Sequence, residues 1–175
     1  AYKQRMETMH NSVENIDSAV SRMNFWETAI VMANANPYFG VGLQRYKSEY
    51  NRYDRSKGDF GVERALHSTI LQTMAEMGYP GFLLYILIII CYFLGIGTSK
   101  RRIRMYLNEG QEKKEFLAYL NALTIAMIAF LINSSFVNCL YFETLWAFIG
   151  VIIAAESITG KFCQQETVLQ TGANG

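Results

Sequence analysis

Apolar residues crowd into the second half of the chain, where they form three near-continuous runs. Residues 81–99, GFLLYILIIICYFLGIGTS, carry no charge, and as a helix they would reach about 28 Å, close to the ~30 Å hydrocarbon thickness of a bilayer. Residues 116–134 are also uncharged, and residues 142–158 keep their charges, Glu143 and Glu156, near the ends. Three membrane-spanning helices are therefore expected, the last two forming a hairpin about the short turn 135–141. The alternative is a buried hairpin in a water-soluble core, but so short a chain has little protein to cover three such runs.

The first half has a different rhythm. Val20, Met23, Trp26 or Glu27, Ile30 and Ala33 recur at helical spacing, predicting an amphipathic helix over residues 18–35 with Asp17 or Ser18 as N-cap and Asn36-Pro37 as its stop. NPYFGVGLQRY (36–46) must turn tightly at its two glycines. The charged, tyrosine-rich stretch 47–64 reads as an exposed loop. A second helix is predicted over Ser68–Met77, with Ile70, Leu71, Met74 and Met77 as its apolar side. Gly78 is expected as a left-handed cap and Pro80 as the stop, with Tyr79 at the level where aromatic rings anchor a membrane entry.

Charge sets the expected orientation. The connector 100–115, KRRIRMYLNEGQEKKE, is rich in Lys and Arg, which marks short loops retained on the cytoplasmic side. Residues 1–78 would then form a periplasmic domain, followed by a span at 79–99, the cytoplasmic basic loop 100–115, a span at 116–134, the periplasmic turn 135–141, a span at 142–158 and a cytoplasmic tail at 159–175. The sequence thus predicts an all-α membrane protein: a helical periplasmic loop domain followed by three transmembrane helices. Acidic and basic residues balance within 1–78, as in a folded extramembrane domain rather than a polybasic lipid-binding tail. Ala1 is not an initiator Met and no signal-peptide pattern follows it, so the chain is expected to be the C-terminal piece of a longer protein.

Composition excludes several functions. A net charge of +1 without a basic, aromatic-interleaved stripe argues against nucleic acid. Cys91, Cys139 and Cys163 show no ligand or disulfide spacing, and no metal or cofactor is expected. GxSxG, HExxH and P-loop signatures are all missing. Two residues remain as candidates for chemistry: His67, either a surface or capping histidine or a reactive one, and Arg22, which lies one helical turn before Trp26 and could simply rest along the indole. With no Asp-x-Asp pair in the first half, any phosphate there would fall to arginines, whose planar fork matches phosphate oxygens.

Taken in order, Arg22, Trp26 and Ala29, then Pro37, Gly40 and Gly42, then His67 and Ser68, then Glu76, Gly78 and Gly81 running into a span, the pattern resembles the O-antigen ligase family of bacterial polysaccharide ligases and polymerases. The likeness covers roughly residues 5–95, with Ser68 where Asn is commoner. Together with RMETM (5–9) it is most similar to the O-glycosylation ligases associated with exosortase systems.

The resemblance implies a fragment of a polytopic, GT-C-like inner-membrane enzyme. Such an enzyme would move a glycan, without a metal, from undecaprenyl diphosphate to the lipid A core, a protein or a growing polysaccharide. It implies Arg22 and His67 as catalytic residues, with Arg22, Arg45 and Arg64 toward the diphosphate, and Trp26, Pro37, Gly40, Gly42, Glu76 and Gly78 as the structural motif. His67 could take the proton of an attacking hydroxyl or hydrogen-bond to the diphosphate. A non-catalytic membrane subunit of a polysaccharide assembly or transport system is the competing class.

Overall fold

The computed structural model describes residues 14–61, 63–137, 139 and 143–172, with side chains from residue 20 to residue 162. The RMETM segment lies outside the described residues. Among the described residues five helices follow in order: α1 (Glu14–Ala35), α2 (Tyr46–Tyr53), α3 (Thr69–Tyr106), α4 (Gln111–Ser134) and α5 (Thr144–Gly172). The protein is all-α, with no strand among the described residues. Three of its helices, α3, α4 and Thr144–Phe162 of α5, are long and apolar enough to span a membrane. The chain divides into two compact units, residues 1–83 with 134–140, and residues 84–133 with 141–175.

In the first unit α1 starts at Glu14, so Asp17 and Ser18 lie inside the helix rather than capping it. It ends at Ala35 as expected, where the Asn36 N–H still reaches Met32 O at 3.0 Å before Pro37. Its buried face is Phe25, Thr28, Ala29, Met32 and Ala33, while Val20, Met23 and Ile30 are exposed. The predicted stripe is therefore wrong at Val20, Met23 and Ile30 and holds at Trp26, which packs against the core, and at Ala33. Small Ala29, buried in one cluster with Phe25, Tyr46 and Tyr50, leaves room for aromatic rings at the helix, a packing advantage that a hydrophobicity pattern ranks below Ile or Met.

The rings of Tyr46, the last residue of the turn segment, and of Tyr50, in the stretch expected to be a loop, stand on α2, which takes up the first part of that stretch. Tyr46 and Tyr50, one helical turn apart, are buried with Phe25, Ala29, Met32, Leu66 and Ala75. The Phe25 and Tyr50 rings meet edge-on at 5.7 Å, an arrangement the ring quadrupoles favour. Buried hydroxyls need partners: Tyr46 donates to Phe25 O at 2.8 Å, and Tyr50 accepts from Asn24 Nδ2 at 2.9 Å.

In the second unit small residues let helices approach closely, as is usual where lipid supplies no hydrophobic drive. A Cβ on Gly95 would lie 3.1 Å from both Ile152 Cγ1 and Glu156 Oε1, and buried Ser99 faces buried Thr159. The Tyr92 hydroxyl donates to Leu123 O at 3.0 Å. The basic stretch 100–115 is mostly helical rather than a loop: α3 runs on through Arg104 to Tyr106 and α4 resumes at Gln111. Basic side chains there suit the negative end of the α3 dipole, and Lys113 Nζ bonds Arg104 O at 3.1 Å and Glu109 Oε1 at 2.7 Å.

Candidate functional site

Gly78 and Pro80 end the second predicted helix where expected, and α3 continues past them as a further helical stretch across a kink. Gly78 has φ 70° and ψ −174°, a region essentially reserved for glycine and not the left-handed cap expected. Pro80 sits in the first turn after the kink, where a missing N–H is tolerated. The break has a direct bookkeeping consequence for hydrogen bonds. In an unbroken helix Ala75 O and Glu76 O would accept from residues 79 and 80. Here Tyr79 N–H turns away and Pro80 has none, so both carbonyls are released.

The glycine turn after α1 takes them. Val41 N–H donates to Ala75 O at 2.9 Å, Gly42 N–H to Glu76 O at 3.1 Å, and the freed Tyr79 N–H returns a bond to Pro37 O at 2.9 Å. The approach is close enough to need glycine on both sides. A Cβ on Gly40 would lie 2.4 Å from Glu76 C, and one on Gly78 would lie 2.7 Å from Pro37 O, each at positive φ. The two glycine motifs singled out in the sequence are thus halves of one joint.

Glu76 locks the joint from inside. Its buried carboxylate accepts from Gln44 N–H at 3.0 Å, Tyr46 N–H at 3.1 Å and Gln72 Nε2 at 3.0 Å. A buried carboxylate requires such donors, and Tyr46 N–H is one of the orphan donors at the start of α2. Gln44 is held at φ 58°, uncommon for a residue with a Cβ. Arg45, between the two clamped amides, therefore projects from a fixed backbone. Glu76 acts on the arginine segment through the backbone.

The ionisable candidates lie on the outside of this frame. Arg22, Arg45, Arg64 and His67 are all exposed. Among the described residues, ion pairs are formed by Arg52 with Glu49, Arg55 with Glu27 and Lys113 with Glu109, so Arg22, Arg45 and Arg64 keep their charge unpaired. The ring seen under a guanidinium is Tyr53, beneath Arg52, rather than Trp26 beneath Arg22. Trp26 instead packs against the core. Arg64 Nε donates to Phe60 O at 2.7 Å. His67 stands between buried Leu66 and buried Ser68, which fix its backbone while its ring faces solvent. Ser68 O accepts from Gln72 N–H at 3.0 Å, the N-cap pattern expected for it. Leu66 and Phe25 share one core, so the segments bearing His67 and Arg22 belong to the same packed body. No hydrogen bond or ion pair joins Arg22, Arg45, Arg64 and His67 among the described residues.

Two polar clusters escaped sequence reasoning. Thr69 ties the start of α3 to the 134–140 segment, its hydroxyl donating to Val137 O at 3.0 Å and accepting from Cys139 N–H at 2.7 Å; nothing local in the sequence signals so distant a pair. Asp54 closes the loop after α2, and D-x-S-x-G (54–58) was its available signal. Burial alone would raise the Asp54 pKa, but hydrogen bonds from Asn24, the Ser56 hydroxyl and the Gly58 and Ser56 amides outweigh it and hold the carboxyl down at about 2, against 3.8 ordinarily. Because the folded value is the lower, the stabilisation is present above about pH 4 and is lost as pH falls through about 2. Asp54→Asn should therefore destabilise the first unit by roughly 1–2 kcal/mol at pH 6, after allowance for solvent screening. Thermal unfolding in detergent should show that gap to wild type closing by pH 2.

An all-helical membrane protein whose helical domain offers unpaired arginines and a histidine on a glycine-jointed frame is the class defined so far. Residues 1–86 match the family described as O-Antigen ligase. The match supports an O-antigen ligase family assignment for that segment and, in a general sense, glycan transfer and polysaccharide biosynthesis at a membrane. Comparison with curated proteins and with solved structures returned no match.

Proposed function

We propose that the chain forms the arginine-bearing part of a glycosyl-transfer site at the periplasmic face of the bacterial inner membrane, with residues 1–78 outside and the α5 tail in the cytoplasm. The donor is a glycan on undecaprenyl diphosphate, and the acceptor is the lipid A core, a protein or a growing polysaccharide. The observation that carries this reading is that Arg22, Arg45 and Arg64, without an ion pair among the described residues, and exposed His67 all lie within a segment matching the O-antigen ligase family.

In the reaction an acceptor hydroxyl oxygen attacks the anomeric carbon, the bond from that carbon to the diphosphate oxygen breaks, and the hydroxyl proton is released. Negative charge grows on the departing diphosphate, where fixed guanidinium groups stabilise the transition state more than the ground state. His67 either accepts the hydroxyl proton or donates to the diphosphate. The glycine joint and Glu76 supply the rigidity that makes the Arg45 segment a preorganised partner.

The test uses full-length protein in nanodiscs, supplied with a radiolabelled undecaprenyl-diphosphate glycan and each of the three acceptors in turn. Label should move to one acceptor with release of undecaprenyl diphosphate in equal amount. Absence of transfer to all three, with the donor intact, overturns the reading.

A further inference from the structure

The segment Asn36–Gln44 carries no charge, although charged residues are frequent through the rest of residues 1–78. Its Tyr38, Phe39 and Leu43 are 73%, 87% and 60% exposed. Their backbone is nevertheless closely braced, with Gly40 backed onto Ala75 and Glu76, and the Pro37–Phe39 backbone backed onto Gly78. A loop that only needed to turn would carry polar side chains here. Large apolar side chains held outward from a fixed backbone instead mark a surface that meets a nonaqueous partner.

The position of the turn along α3 identifies that partner. The charge-free stretch of α3 opens at Met77, and Gly78 is its second residue. From Met77 to Ser99 it holds roughly 23 residues, reaching about 34 Å as helix, slightly more than the ~30 Å hydrocarbon core. Gly78 therefore sits within a turn of the hydrocarbon edge, in the headgroup layer, and the turn in contact with it sits at the same depth. Tyr79 and Leu83, next along the helix in the same unit, are also exposed apolar side chains. Tyr79 is steadied by its hydroxyl bond to Asn34 Oδ1 at 2.6 Å.

We propose that Tyr38, Phe39 and Leu43 form a membrane-inserting tip, entering the boundary between headgroups and acyl chains beside α3, with the lipid surface itself as partner. Aromatic side chains are favoured at that depth, and the absence of charge over Asn36–Gln44 removes the usual penalty for entry. The inference rests on α3 crossing a membrane and is independent of the transfer reaction. Its consequence is that Arg45, two residues beyond Leu43 on the clamped backbone, is held at the bilayer surface.

Site-directed nitroxide labelling of the full chain in nanodiscs tests the tip. In a background with Cys91, Cys139 and Cys163 replaced by alanine, labels are placed by Phe39→Cys and Leu43→Cys, with Leu83→Cys as lipid reference and Lys47→Cys as water reference. The ratio of collision with oxygen to collision with a water-soluble nickel chelate should be several-fold higher at 39 and 43 than at 47, and close to that at 83. A ratio at 39 and 43 equal to that at 47 overturns the proposal. So does protection from both relaxers, which would mean that protein covers the tip. Should the cysteine-free chain misfold, Phe39→Trp in the native-cysteine chain gives the same reading: brominated acyl chains quench the added emission if the tip inserts, and unquenched emission overturns the proposal.

Discussion

Gly40→Ala and Gly78→Ala are each expected to destabilise the first unit by roughly 3 kcal/mol or more, enough to unfold a marginal domain. Two independent costs add at both positions. The backbone lies at φ +64° in one and +70° in the other, and the new Cβ meets main-chain atoms at 2.4 Å and 2.7 Å that no side-chain rotamer can move aside. Relieving either clash pulls the turn off α3, which returns Ala75 O, Glu76 O and Tyr79 N–H to an unpaired state. Gly58→Ala separates the two costs: its φ is +94° but nothing lies within 4 Å of the added atom, so only conformational strain of about 1–2 kcal/mol is expected. Thermal unfolding in detergent, followed by emission from Trp26 and Trp146, measures the series. A Gly40→Ala chain as stable as Gly58→Ala would show that the joint yields and does not brace the unit.

This joint shows how far local pattern reaches. Pro37, Gly40, Gly42, Gly78 and Pro80 are visible as chain-turning residues, and both turns occur where they were expected. Their mutual fit was not visible, because the bond from Tyr79 to Pro37 and the contact of Gly40 with Glu76 join residues about 40 positions apart, and single-sequence periodicity carries no pairing information. The membrane helices were legible because a charge-free run of that length has few soluble alternatives. The face of α1 was misread at Val20, Met23 and Ile30 because they outscore Ala29 in hydropathy, whereas the small Ala29 is the residue buried among the aromatic side chains of the core. Tyr46 and Tyr50 stood at helical spacing in plain view, but Lys47, Ser48 and Glu49 between them describe only the outer face of α2. For the site residues, the sequence could offer type and order alone. The contribution of the structure is their exposure, their lack of ionic partners and the buried clamp of Glu76 on the amides either side of Arg45.

Arg22→Ala and His67→Ala, each made in the full-length protein, should lower glycan transfer by roughly 100- to 1,000-fold while leaving its amount in the membrane unchanged. Both side chains are exposed and outside the core, so truncation removes chemistry without opening a cavity. Arg22→Lys keeps the charge but loses the planar fork, and should recover only part of the lost rate. Arg55→Ala serves as a control: it breaks the exposed pair with Glu27 at 2.9 Å, an interaction worth little at the surface, and transfer should stay within about twofold of wild type. Transfer that survives both alanine substitutions undiminished would remove Arg22 and His67 from the site and leave Arg45 and Arg64 as the arginines to test.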